Sequence, residues 1–294
     1  MITVFGSANM DLVAYVSKAP QRGETVTGRE FRTIPGGKGA NQAIAAARAG
    51  AKVTFLGAVG EDAFGAEMRG TLAAAGVDVS LLRQVPGVSG IAHIVVDDNG
   101  GNSIIVVPGA NGTISAPTSD ERAVIAASQA LLLQLELPME AVIAAARAAR
   151  EAGVPVILTP APAQPLPNGL LDAVTLLIPN EHEAAGITGT AAPEAAMDAL
   201  LRRVDEAVIT LGSEGALYGA STGERIRVPA VKVQAVDTTA AGDTFAGAFA
   251  VARAEGRDAE QALRFASTAA ALSVQRPGAS TSMPARAEID AAHA

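Results

Sequence analysis

The residues best suited to chemistry lie in the stretch Asp237-Thr-Thr-Ala-Ala-Gly-Asp-Thr-Phe245. A β-like run over residues 225–236 precedes it and an apolar helical pattern over 245–253 follows, so Ala240, Ala241 and Gly242 fall at a strand-to-helix turn. Small residues there leave the backbone N–H groups at the head of the helix open. Together with the helix dipole they make a site for an anion such as phosphate. A carboxylate in the same place, Asp243, would repel that anion. Its chemistry is that of a base that takes a proton from a hydroxyl attacking phosphorus. The same residues also fit a plain helix opening with Asp243 as N-cap.

Other stretches carry polar groups at similar places. Asn9 and Asp11 follow the apolar run 2–6 and offer donors and acceptors for sugar hydroxyls, or an Asx-type turn. In Pro35-Gly-Gly-Lys-Gly-Ala-Asn41 the glycines, Gly37 among them, let a ligand approach the backbone, with Lys38 and Asn41 as hydrogen-bonding groups. It is not the phosphate-binding Gly-x-x-x-x-Gly-Lys-Ser/Thr loop, because Gly39 follows Lys38. Asn180 and Glu183 stand one helical turn apart, so they can share the water shell of a Mg²⁺ ion or form a capping pair. Thr210, Gly212, Ser213 and Gly215 sit in a strand–glycine turn–strand pattern that fits a nucleotide.

These groups need a scaffold. Apolar β runs alternate with helical patterns along most of the chain, which predicts a central, mostly parallel sheet covered by helices on both faces. Most of the candidates fall just past predicted strands, on one edge of that sheet. The β runs 90–97 and 103–107 flank Asp98-Asn-Gly-Gly-Asn102, a hairpin signal that does not belong in a parallel sheet. With the β-like segments near 12–16 and 25–34 it is expected to form a small lid sheet, from residues 12–34 and 90–107. A lid would exclude water from the site, and its apolar face would suit dimerisation. No repeat or long linker divides the chain, so residues 1–294 are expected to form one α/β domain.

Composition narrows the function. Of 294 residues, 49% are hydrophobic and 18% charged, which supports a substantial globular core. No apolar run reaches the roughly 18 residues of a membrane span. A strand-like start without a basic segment argues against a signal peptide, and the absence of cysteine favours the cytoplasm. A net charge of −8 argues against nucleic-acid binding, and His93, His182 and His293 are too scattered for a zinc site.

Two stretches carry a resemblance to a known family: Gly36-Gly-Lys-Gly-Ala-Asn-Gln-Ala43 with the preceding Pro20-x-x-Gly-Glu-Thr25, and Asp237–Phe245. The chain resembles the ribokinase family, the phosphofructokinase B-type sugar kinases, over essentially its whole length. The resemblance implies a three-layer αβα fold with a β-sheet lid, and ATP-dependent phosphorylation of the 5-hydroxyl of D-ribose to ribose 5-phosphate. It assigns Asp243 as base and 240–243 as the anion hole. Asn9, Asp11, Gly37, Lys38, Asn41 and Glu136 would hold the sugar. Asn180, Thr210, Gly212, Ser213, Gly215 and Gly242 would hold ATP, with Glu183 in the magnesium shell. It further implies a K⁺ site from Asp237, Thr239, Ser273, Arg276, Gly278 and Ser282, mostly through carbonyls, and a homodimer through the lid. Thr159 stands where relatives often have asparagine, and Ser267, near the adenine, where some have histidine. The alternatives are a kinase for deoxyribose, fructose or adenosine, or a non-catalytic sugar-binding regulator on the same fold.

Overall fold

The computed structural model describes residues 1–293. The strands Ile2–Phe5, Val53–Leu56, Ala130–Leu133 and Val156–Leu158 are buried throughout, so they read as continuous apolar runs rather than alternating ones. They form the centre of a nine-stranded sheet. Its order is Arg225–Val228, Ala216–Ala220, Glu206–Thr210, Leu176–Leu177, Val156–Leu158, Ala130–Leu133, Ile2–Phe5, Val53–Leu56, Val77–Asp78. Pairing is parallel except for the first two strands of that order, which form an antiparallel meander on Glu206–Thr210. Alternate side chains feed two cores. Val4, Phe55 and Leu132 pack with the helices Lys38–Arg48, Ala241–Ala254 and Ala259–Ser273, whereas Phe5, Leu56 and Leu133 pack with Met139–Glu151 and Pro193–Leu200. This is the expected three-layer arrangement.

One close approach sets the site. The helices Lys38–Arg48 and Ala241–Ala254 meet at Gly247, where a Cβ would lie 2.7 Å from Ala45 Cβ and 2.8 Å from Gln42 O. The absent side chain lets one helix rest on the other, with Asn41 and Gln42 facing Asp243.

A separate four-stranded sheet runs in the order Glu30–Gly36, Asn9–Tyr15, Gly90–Val96, Asn102–Val107. The hairpin forms as expected, closed by Asp97, whose Oδ1 accepts from the N–H groups of Asn99 and Gly101 at 2.9 Å. The expected sheet boundaries need correction. It starts at Asn9 and runs on to Gly36, so Asn9 and Asp11 belong to the small sheet itself and not to a loop after a central strand. Residues 25–29 are not in a strand.

Two further expectations change. The run 225–236 is a strand only to Val228, because Pro229 has no N–H to continue the ladder. Residues 229–236 continue outside the sheet and border a cleft. The glycine-rich turn is also shorter than expected, since helix begins at Lys38, with Gly37 at its N-cap at φ 92°. Asn41 is therefore a helical residue.

Candidate active site

Ala240 has φ 58° and is the one non-glycine residue with positive φ among those described. In that left-handed conformation it precedes the helix Ala241–Ala254 without offering a side-chain cap. The N–H of Ala241 turns back to Thr238 O at 3.2 Å. Those of Gly242 and Asp243 are too near the helix start to have an intrahelical acceptor. A Cβ on Gly242 would meet nothing within 4 Å, so the space over this turn is open. Asp243 is the third residue of the helix rather than its N-cap, which removes the plain capping reading. Its carboxylate, only 7% exposed, accepts from Asn41 Nδ2 at 3.2 Å and Gln42 Nε2 at 3.0 Å.

A polar pocket lies beside it, at the root of the small sheet. Glu136 Oε2 accepts from Ser7 Oγ at 2.5 Å, Lys38 N at 2.9 Å and Asn9 Nδ2 at 3.4 Å, which ties three elements together. Asn111 Nδ2 donates to Asn9 Oδ1 at 2.8 Å and fixes that amide. Bulk is excluded nearby: a Cβ on Gly36 would lie 2.5 Å from Asp11 Oδ2, and one on Gly37 2.7 Å from Asn9 N. Asn41 Oδ1 is buried without a partner, an acceptor left for a ligand hydroxyl.

Charge is concentrated here. Burial raises the Asp11 carboxyl to about 7, with Glu136 and Asp243 adding to the rise and Lys38 opposing it. Burial likewise raises Asp243 to about 6, against Lys38 and the hydrogen bonds from Gln42 and Asn41. Burial would lower the Lys38 ammonium, but the carboxylates of Asp243, Glu136, Glu183 and Asp11 outweigh it and hold the value above the ordinary one. Lys38 stays charged, while Asp243 titrates within reach of neutrality, as a base must.

On the other side of Asp243 opens a cleft of about 480 Å³. Thr210, Gly212, Ser213, Gly215, Gly242 and Ser267 line it, all of them expected from the sequence. Its apolar walls include Val231, Val233 and Phe245. The two valines were hidden in what reads as a strand. Asn180 and Glu183 do not line this cleft. They form a reciprocal capping box on the helix Glu181–Thr188, Glu183 N–H to Asn180 Oδ1 at 2.8 Å and Asn180 N–H to Glu183 Oε2 at 2.9 Å. Burial raises the Glu183 carboxyl, and the electrostatic pull of Glu183 on Lys38 connects this helix start to the pocket.

The segments expected to hold a monovalent cation do come together. The N–H of Val236 donates to Val274 O at 2.7 Å, and that of Gly278 to Asp237 Oδ2 at 2.8 Å. Thr239 Oγ1 donates to Asp237 Oδ1 at 2.6 Å. Burial would raise Asp237, but the hydrogen bonds from Thr239 and Gly278 hold it below the usual carboxylate value. The Arg276 guanidinium is taken by Glu288, and the hydroxyls of Ser273 and Ser282 donate to Ala270 O and Ala279 O.

Sequence reasoning missed Ser7, Gln42 and Asn111. Gln42 stood inside the motif 36–43 and could have been taken from it. Asn111, in the short helix Gly109–Thr113, gave no sequence signal.

An open helix head between an open cleft and a polar pocket, with a buried carboxylate on its first turn, suits phosphoryl transfer to a sugar. The protein is a carbohydrate kinase. More narrowly, the chain belongs to the pfkB family of carbohydrate kinases, whose pattern matches residues 1–286. It is 46% identical over 292 residues to ribokinase of Bacillus subtilis, covering 98% of both chains. Identity to deoxyribokinase of Salmonella typhi is 36% over 292 residues, covering 96% of this chain and 95% of that one. Among solved structures, Arabidopsis thaliana ribokinase complexed with ribose and ATP matches with a TM-score of 0.94 at 37% identity, over 99% of this chain and 98% of that one. Among the described residues no helix is long and apolar enough to cross a membrane.

Proposed function

We propose that this enzyme transfers the γ-phosphoryl group of ATP to the 5-hydroxyl of D-ribose, giving ribose 5-phosphate and ADP. The observation that carries the reading is the Asp243 carboxylate, buried at an uncapped helix head and held by Asn41 and Gln42 between the cleft and the pocket. Ionised Asp243 takes the hydroxyl proton as the sugar oxygen bonds to phosphorus, and the bond from phosphorus to the ADP oxygen breaks. The N–H groups of Gly242 and Asp243 meet the charge that develops on the transferring group, with Ala240 and Ala241 supplying the turn. Asn9, Asp11, Gly37, Lys38, Asn41 and Glu136 bind the sugar hydroxyls. Thr210, Gly212, Ser213, Gly215 and Ser267 line the ATP site.

Mg²⁺ would neutralise phosphate charge. Glu183, with one carboxylate oxygen clear of the capping box, fits a water-mediated site for it, and no cluster of three or more ligating side chains competes among the described residues. Asn180 orients Glu183. The oxygen-rich junction of Asp237, Thr239, Ser273, Arg276, Gly278 and Ser282 fits a K⁺ ion that would brace the anion hole. The small sheet acts as a lid over the sugar. A cytoplasmic setting, where ATP is available, suits the reaction. The lid's outer strand exposes Ile104, Ile105, Val106 and Val107, with Phe31 on the opposite edge strand, and we assign this apolar edge to a homodimer contact. Ile105, 68% exposed, is its most exposed member, and Ile105→Asp should convert a dimer to a monomer in sedimentation.

The deciding experiment measures ADP release from Mg-ATP with ribose, 2-deoxyribose, fructose and adenosine, with and without K⁺. A ribose-selective, K⁺-stimulated rate is expected. Selectivity for 2-deoxyribose, the reading that the deoxyribokinase match would favour, would keep Asp243 and the fold but replace the acceptor. Absence of any rate would point to sugar binding without catalysis.

A further inference from the structure

Gln42 makes the shorter of the two amide hydrogen bonds to Asp243 and is not among the residues assigned above to the sugar or the nucleotide. A glutamine amide has two N–H donors and one carbonyl oxygen, and in Gln42 all are engaged. Nε2 donates to Asp243 Oδ1 at 3.0 Å and to Thr159 Oγ1 at 3.2 Å, while Oε1 accepts from Gln134 Nε2 at 2.7 Å. Gln42 stands on the helix Lys38–Arg48, Gln134 follows the strand Ala130–Leu133, and Thr159 follows Val156–Leu158. Three elements thus converge on one amide, and both glutamines are only 1% exposed.

The arrangement has a direction. Turned over, the Gln42 amide would set its oxygen against Asp243 Oδ1 and its nitrogen against the nitrogen of Gln134, which are two unfavourable pairs. The observed orientation matches an ionised carboxylate. Gln134 keeps it at some cost, since its own Oε1 is buried without a partner. Gly6 makes room for Gln134, because a Cβ there would lie 2.2 Å from Gln134 Oε1.

We infer that Gln42, locked by Gln134 and Thr159, is a positioning residue that holds the Asp243 carboxylate ionised and in a single orientation for proton removal. This rests on the reading of Asp243 as base. The charged groups facing Asp243 are Lys38 from the same helix as Gln42, Glu136 from the loop after Ala130–Leu133, and Asp11 from the small sheet. Lys38 favours ionisation, whereas Glu136, Asp11 and burial oppose it. Loss of the Gln42 donor shifts that balance toward the protonated acid.

The test is the pH dependence of kcat in Gln42→Leu, Gln42→Glu and Gln134→Leu. In Gln42→Leu the acid limb should move up by about one pH unit, with kcat at pH 6 reduced about tenfold and KM for ribose and ATP changed less than about twofold. Gln42→Glu should move the limb further, since a second carboxylate then faces Oδ1. Gln134→Leu, which acts on Asp243 only through Gln42, should give a smaller shift in the same direction, and the Gln42→Leu/Gln134→Leu pair no more than Gln42→Leu alone. An unmoved limb in Gln42→Leu that still folds, or a rise in KM in place of the loss in kcat, would overturn the inference. Should Gln42→Leu fail to fold, an unmoved limb in Gln134→Leu overturns it equally. Asp243→Asn, run alongside, separates the two levels: near-normal turnover there removes the base itself, whereas lost turnover with unmoved limbs in the glutamine variants removes only the role of Gln42.

Discussion

The helices Glu181–Thr188 and Ala241–Ala254 begin on the same edge of the central sheet, and each carries a carboxylate at its third position. Glu183 turns back and closes a capping box with Asn180. Asp243 turns away and is held by Asn41 and Gln42 of another helix. The residue before each helix makes the difference. Asn180, with φ −79° and ψ 175°, sits in the extended conformation that lets a side chain cap, whereas Ala240 is left-handed and has no polar side chain. A capped helix head is stable and closed. An uncapped one leaves donors for a ligand and frees its acid for chemistry, and its stability must come from tertiary packing.

Asp243→Asn breaks this contrast most severely. It keeps the shape of the side chain but removes the base, and kcat should fall about 1,000-fold with ATP binding retained. Stability should move the other way. Because folding raises the Asp243 carboxyl from 3.8 to about 6, the folded protein binds the proton more tightly, and this group's contribution to stability declines as pH rises across that interval. Ionised Asp243 is therefore destabilising at pH 7. The melting temperature of the parent, taken relative to the asparagine variant, should rise as pH falls from 7 toward 4. In the parent enzyme kcat/KM should fall below about pH 6 as the base protonates.

Glu183→Gln comes next. Glutamine can still complete the capping box, so the melting temperature should hold, while the loss of a charge at the proposed magnesium shell should lower kcat about tenfold. Equal losses of stability and activity would return Glu183 to a purely capping role. Asn180→Ala should cost about 1 kcal/mol in chemical denaturation, the usual worth of an N-cap. Ala240→Gly is the mildest change. It relieves the left-handed strain of Ala240 but loosens the unfolded chain, so stability should change by less than about 1 kcal/mol with turnover retained. A large loss of activity would mean that the methyl group itself shapes the anion hole.

Much of this was legible in the sequence. The alternation of apolar runs and helical patterns specified a covered parallel sheet, because buried strands and amphipathic helices have periods that do not depend on their partners. The Asp98–Asn102 stretch marked the hairpin, since its polar and glycine residues suit few other conformations. Asp243 and the small residues before it marked the anion site. Boundaries were less legible. Asn9 and Asp11 look like loop residues until Gly36 and Gly90 are seen paired beside Asn9, and residues 229–236 look like a strand although Pro229 ends the ladder.

By itself, then, the sequence determined the layers of the fold and the family and singled out Asp243, all of which rest on local pattern and residue type. Only the tertiary structure decided which N3 acid caps and which one is held by another helix, that Gln42 and Gln134 stand behind Asp243, and that Glu136 joins Ser7, Asn9 and Lys38. Those relations depend on helices approaching closely at Gly247 and on residues far apart in the chain, from Gln42 and Gln134 with a separation of 92 to Asn41 and Asp243 with one of 202. Contacts of that range are set by how the layers pack, and local pattern carries no record of it.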